Sequence, residues 1–400
     1  MRHVFVWLVF LALWFVATSC SAAVVLAPIG DVTLLAGSPL HIPLDGFSSD
    51  GQSLTFTALS DDEVVNTFIP EANRSLRISV ADYGDMVFEL FEGRTPRATQ
   101  RIIALAEDDF YDGLIFHRVI DAFVIQGGDP TGTGGGESGW GPFDDQFHVE
   151  LQHNRSGVLA MAKAFDDTND CQFYVAEGAQ RHLDFNHSIF GQLVEGEDVR
   201  EAISSVPVDE NYQPLQDVVM QSVDVFVDPE NAVLMLSALE GATGSADVTV
   251  TATDEGGNQA LQTFHVDVEP DTIDSDPFLA DIPEIVTYVD TPTTFQLTAI
   301  DVEGDPAYFL DEYTLDANGL YVPVWSHPDL DYIVDFYSGE VTVTPTNGLT
   351  GVHQITVATG VYVDAVDYQV VSVRIIPEPA TLGLTVAGLL LLLGGRAKRR

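Results

Sequence analysis

Phe116-His117-Arg118-Val119-Ile120-Asp121-Ala122-Phe123-Val124-Ile125-Gln126-Gly127-Gly128-Asp129 decides how the rest of this 400-residue chain is read. If residues 116–125 are extended, successive side chains point to opposite faces. Arg118 then shares a face with Ile120, while His117, Val119 and Phe123 share the other until a bend at Asp121-Ala122 resets the count. A turn there brings Phe123 and Gln126 round beside Arg118. The result is a guanidinium donor, an aromatic wall and an amide on one apolar patch, and Gly127-Gly128 lets backbone approach where a side chain would collide. This set offers no nucleophile paired with a base and no metal cage. It can hold an extended peptide and donate hydrogen bonds to its backbone.

Two more blocks follow: Leu159-Ala160-Met161-Ala162 with Thr168-Asn169 and Gln172-Phe173-Tyr174, then Leu183-Asp184 with His187-Ser188-Ile189-Phe190-Gly191. Together, in order and spacing, the three blocks resemble the cyclophilins, the peptidyl-prolyl cis/trans isomerases, across roughly residues 75 to 226. The resemblance implies a closed eight-stranded β-barrel capped by two helices. It also implies catalytic roles for Arg118, Phe123 and Gln126, and a substrate groove built from His117, Met161, Ala162, Lys163, Gln172, Phe173, Tyr174, His182, Leu183 and His187. Phe123, Met161 and Leu183 would surround the proline pocket with Phe173 in or near it; read without the resemblance, Phe123, Met161, Phe173 and Leu183 are barrel core. Tyr174 stands where the family usually has a pocket phenylalanine. Lys163 stands where many members have an asparagine that contacts the substrate backbone, and His182 where drug-sensitive members have tryptophan, so cyclosporin is expected to bind weakly.

Sixteen Lys plus Arg against 61 Asp plus Glu give a net charge of -45, which repels nucleic acid. Only Cys20 and Cys171 occur, and the histidines show no ligand spacing, so neither a disulfide framework nor a zinc site is expected. Residues 1–23 read as a secretory signal peptide, with an apolar run from Val4 to Ala17 and the small residues Ser21-Ala22-Ala23. A lipoprotein reading at Cys20 is the alternative. At the other end, Pro377-Glu378-Pro379-Ala380-Thr381 precedes an apolar stretch and a basic tail, and residues 377–400 resemble a PEP-CTERM sorting signal. That resemblance implies a bacterial envelope, surface or extracellular-matrix protein processed by signal peptidase and an exosortase, with membrane contact through the C-terminal segment before processing; a simple tail anchor is the alternative.

Between the ends the texture is mainly β and multidomain. Residues 24–74 carry strand patterns broken by Asp45-Gly46 and Asp50-Gly51, about half of an immunoglobulin-like β-sandwich. Fifty residues make a marginal core, so strands at 229–270 are candidates to complete it, leaving the isomerase-like segment 75–228 as an insertion. Residues 271–277 form an acidic linker and 278–376 a further immunoglobulin-like module. In the inserted segment, Thr95-Pro96 opens a helix, Glu197 to Ile203 forms a second, and the glycine-rich loop Thr131 to Gly141 reads as flexible surface and not as a nucleotide cradle. The acidic turns at Asp254 to Asn258 and Asp301 to Asp305 are candidates for calcium or plain solvated turns, and no other cofactor is expected. The expected activity is cis/trans isomerisation of X-Pro bonds in exported polypeptides. The alternative is a non-catalytic surface or matrix protein whose barrel binds proline-containing segments.

Overall fold

A computed structural model describes residues 23–70, 73–311, 313–315, 321–323, 329–361 and 364–377. The expected leader up to Ala22 and the sorting signal from Glu378 onward lie outside the described residues. Strands dominate, and two α-helices are present among the described residues.

The chain opens with β1 (Val24–Leu26), β2 (Val32–Ala36), β3 (Leu40–Ser48), β4 (Leu54–Ser60) and β5 (Asn66–Phe68). The next segment supplies β6 (Ser75–Val80), β7 (Gly84–Leu90), α1 (Pro96–Glu107), β8 (Phe116–Ile120), β9 (Val124–Gly127), β10 (Val158–Met161), β11 (Phe173–Ala176), β12 (Ile189–Glu195), α2 (Glu197–Ser204) and β13 (Met220–Phe226). Then come β14 (Asn231–Ser237), β15 (Gly244–Asp254) and β16 (Gln259–Pro270). Strands from before and after the middle segment share sheets: β1-β3-β14-β5 in one and β2-β16-β15-β4 in the other. In β15 the run Ala246-Asp247-Val248-Thr249-Val250 alternates, so Ala246, Val248 and Val250 face Leu34, Ile42, Leu44 and Leu234 in one core.

β6 to β13 form one eight-stranded sheet in the order β13-β6-β7-β12-β10-β11-β9-β8. It curls until the chain entering β8 meets the chain entering β13, where the Phe116 N–H donates to the Val218 carbonyl at 2.9 Å and Ile115 bridges Val219. The inner face packs Leu76, Phe88, Phe116, Phe173 and Phe190 against one side of α1, whose Ala98, Ile102 and Leu105 recur at helical spacing. Thr95 occupies the cap position of α1, but its hydroxyl donates to the Ile189 carbonyl at 2.8 Å; Pro96 needs no amide partner at the first turn.

The outer face is also covered. Val87, Phe91, Val158 and Ala160 pack with Val233 and Met235 of β14, so the sandwich strand that completes one core also seals the back of the curled sheet. Beyond β16, Ile285–Tyr288 pairs parallel with Asp364–Ile376, which pairs with Gly351–Val361; Thr293–Gln296, Glu340–Pro345 and Leu330–Val334 form a second sheet over a shared core. This last unit meets the curled sheet through Phe278, which stacks on Phe185 at 4.8 Å, and Asp281, which accepts from Arg97 at 3.1 Å and Gln146 at 2.9 Å.

Candidate active site

Strand register selects the residues that meet. Arg118 pairs with Gln126 across β8 and β9, Gln126 with Tyr174 across β9 and β11, and Tyr174 with Ala160 across β11 and β10. Residues paired directly across a sheet share a face. The neighbouring row is Phe116, Gly127, Phe173 and Met161, and it points to the interior. Met161 and Phe173 are wholly buried there, which corrects their expected place in the groove. Met161 contributes only its carbonyl, which accepts from His187 Nδ1 at 2.9 Å.

The bend between β8 and β9 is built by Ala122 in the left-handed region (φ 59) and a Phe123 N–H to Ile120 carbonyl bond of 3.0 Å. It swings Phe123 to the side of Arg118, whose guanidinium carbon lies 6.0 Å from the ring centroid. His182 stacks on the same ring at 5.7 Å, and Leu183, Ala162 and Tyr174 continue the apolar patch. His187 meets the Tyr174 ring edge-on at 5.5 Å; burial lowers its pKa to about 4, so it is neutral at neutral pH. The His117 ring is buried and both its nitrogens lack a protein partner; its Nε2 would lie 3.8 Å from a Cβ on Gly134.

A line of amides orients the guanidinium. Arg118 Nη1 donates to Gln126 Oε1 at 3.2 Å, Gln126 Nε2 to Gln172 Oε1 at 3.1 Å, and Gln172 Nε2 to the carbonyls of Gly134 and Gly136 at 3.1 and 3.0 Å. Those carbonyls belong to the glycine-rich loop, which lies at the surface as expected, with no residue from Thr131 to Gly141 buried. The loop wraps the buried Asp129 carboxylate, which accepts from the N–H groups of Thr131 at 2.6 Å and Thr133 at 3.1 Å and also from Gly134. A Cβ on Gly136 would lie 2.0 Å from Asp129 Oδ1, so the wrap requires glycine there. Among the described residues Arg118 pairs with no carboxylate, so its remaining donors are uncommitted.

Lys163 is also corrected. Its ammonium is buried between Asp145 and Asp166, 2.7 Å from the latter, and is not a free groove donor. Asp145, Asp166 and Asp167 gather close enough to hold a cation, but Lys163 already neutralises two of them. Burial pushes the Asp167 carboxyl up to about 7. In the two candidate calcium turns, Asp254 accepts from the Asn258 backbone and side chain at 2.8 Å each, and Asp301 from the Asp305 N–H at 2.8 Å.

Sequence reasoning missed a buried chain behind Tyr174. The tyrosine hydroxyl lies 2.8 Å from His153 Nε2, and His153 Nδ1 lies 3.1 Å from Asp184 Oδ1. The available signal was the tyrosine itself, because a buried phenol needs a polar partner.

The sequence pattern of the cyclophilin type peptidyl-prolyl cis-trans isomerase/CLD family matches residues 75–225. Human peptidyl-prolyl cis-trans isomerase-like 3 is 40% identical over 151 residues, 37% of this chain and 94% of that protein. Peptidyl-prolyl cis-trans isomerase-like 2 of Rhizopus delemar is 43% identical over 152 residues, 38% of this chain but only 28% of that larger protein. A crystal structure of a Cryptosporidium parvum cyclophilin type peptidyl-prolyl cis-trans isomerase aligns over 40% of this chain and 100% of its own, at 33% identity and a TM-score of 0.38.

Proposed function

The chain belongs to the cyclophilin-type peptidyl-prolyl cis-trans isomerases, and from that premise we propose that residues 75–225 isomerise X-Pro bonds of exported polypeptides with Arg118 as the catalytic residue. The uncatalysed barrier is about 20 kcal/mol because rotation breaks amide resonance. As the bond twists, the prolyl nitrogen regains its lone pair and the carbonyl loses its planar partner. A guanidinium that donates to the twisted amide binds it better than either planar state, and that difference lowers the barrier without a covalent intermediate.

The carrying observation is that Arg118 stands half-buried beside Phe123, oriented by Gln126 and unpaired with acid. Phe123, Ala162, Leu183 and the Tyr174 ring offer an apolar seat for the pyrrolidine, with His182 and His187 at its rim. In this reading Gln126 and Gln172, beside the guanidinium, meet the peptide backbone. The reading of the clients as exported rests on the sequence of the two chain ends alone.

The test is a prolyl isomerisation assay on the full chain, comparing wild type with Arg118→Ala. Arg118→Ala is expected to lower kcat/KM by roughly 10²–10³-fold, the loss typical of one electrostatic donor, while circular dichroism stays unchanged. A folded wild type that only matches the spontaneous rate would sink the catalytic reading. In that event peptide titration of the same protein tests the second reading, a barrel that binds proline-containing segments with little turnover.

A further inference from the structure

Tyr174 is tethered to a residue far outside the isomerase segment. The Asp184 carboxylate can only accept, so His153 Nδ1, 3.1 Å from Asp184 Oδ1, carries the proton between them. His153 Nε2 is then an acceptor, and the Tyr174 hydroxyl donates to it at 2.8 Å. The other Asp184 oxygen accepts from Arg181 Nε, and Arg181 Nη1 donates to Asp271 Oδ2 at 3.0 Å. The side chains of His153 and Asp184 are 0% exposed, Arg181 8% and Asp271 9%, so each link acts with little competition from water. Asp271 lies 90 residues beyond Arg181, in the stretch that follows β16.

We propose that Asp271, Arg181, Asp184 and His153 are positioning residues that fix Tyr174, and with it the wall of the proline pocket; the inference rests on the isomerase reading of that pocket. Two features make the chain more than seam adhesive. It ends on a ring that His187 meets edge-on and that shares the apolar patch with Phe123. It also passes through Arg181, which opens the short 3₁₀ turn Arg181–Leu183, so the anchor that holds Arg181 sets His182 and Leu183 as well. A phenylalanine at position 174 would have no such tether. The stretch joining the sandwich to the last module thereby becomes part of the support of the site.

The experiment uses the full chain with Asp271→Asn, Asp271→Glu and, as a control on the same seam, Asp281→Asn. Steady-state isomerisation of Xaa-Pro peptides gives KM and kcat separately, and side-chain ¹⁵N resonances report His153 without reference to activity. Asp271→Asn is expected to raise KM roughly three- to tenfold with kcat within about twofold, the scale of one weakened charge-assisted hydrogen bond. It should also shift the His153 ring resonances, and Asp271→Glu should restore both. Asp281→Asn, which loosens the Arg97 and Gln146 contacts alone, should move neither. An unchanged KM with unmoved His153 resonances in Asp271→Asn overturns the proposal, as does an equal response to Asp281→Asn. If wild type itself fails to isomerise, the isomerase reading falls separately, and the His153 resonances still decide whether Asp271 positions the chain.

Discussion

Lys163 and Gln172 each stand two positions from a strand residue, Met161 and Tyr174, yet their surroundings give them opposite duties. Lys163 neutralises Asp145 and Asp166 with its side chain 4% exposed, and removing its charge strands two carboxylates, one of them 1% exposed. Lys163→Met is expected to lower unfolding free energy by about 3 kcal/mol, measured by urea denaturation, with kcat/KM of the folded fraction nearly unchanged. Gln172 spans the Gln126 amide and the Gly134 and Gly136 carbonyls. Gln172→Ala frees Gln126, and through it Arg118, so kcat/KM should fall roughly tenfold with little change in melting temperature. An unaltered rate would show that Gln126 holds its orientation without that support.

At the scale of the element, a period of two does most of the sorting. On β10 and β11, Leu159, Met161, Phe173 and Val175 enter the interior while Val158, Ala160, Tyr174 and Ala176 take the outer face. The end of β9 shows what holds this register. Gly128 has φ 86, and a Cβ there would sit 2.6 Å from the Cys171 carbonyl oxygen, just before β11. Gly128→Ala therefore combines backbone strain with a main-chain clash and is expected to cost about 3 kcal/mol or more, read from the denaturation midpoint. A milder cost would mean that β9 and β11 can part without loss of the sheet.

In the whole molecule, the isomerase segment leaves the sandwich after β5 and returns to it at β14, which pairs with both β3 and β5. The sandwich cannot assemble that sheet until the inserted segment has been passed. The seam between the two carries Glu89, whose pKa burial pushes up to about 7 although Asn73 donates to it at 2.7 Å. The folded state keeps this proton where the unfolded chain has lost it, so stability falls as pH rises from the ordinary carboxyl value of 4.5 to about 7 and stays lower above. Glu89→Gln should raise the melting temperature at pH ~8 and leave it unchanged at pH ~4. His41, on the same seam, has its pKa lowered to about 4 by burial and works in the other direction: stability is lost as pH falls from 6.5 towards 4. Equal pH profiles for wild type and Glu89→Gln would mean that water reaches the seam.

The sequence by itself determined the reaction family, through three motif blocks that resemble it in order and spacing, and the meeting of Phe123 and Gln126 with Arg118, because a strand, a bend and a pair of glycines leave few ways to arrange them. The two helices and the turn residues were legible because helical periodicity, a proline at the first turn and φ preferences act over a few residues. Facing was not legible for Met161 and Phe173, since a buried apolar residue reads alike whether it fills the interior or lines a groove, and only cross-strand register separates the two. Nor was the duty of Lys163, whose partners Asp145 and Asp166 include one 18 residues away, or the tether from Tyr174 to Asp271. These depend on which distant charges share a region that excludes water, and that is fixed only when the sheets have curled and packed.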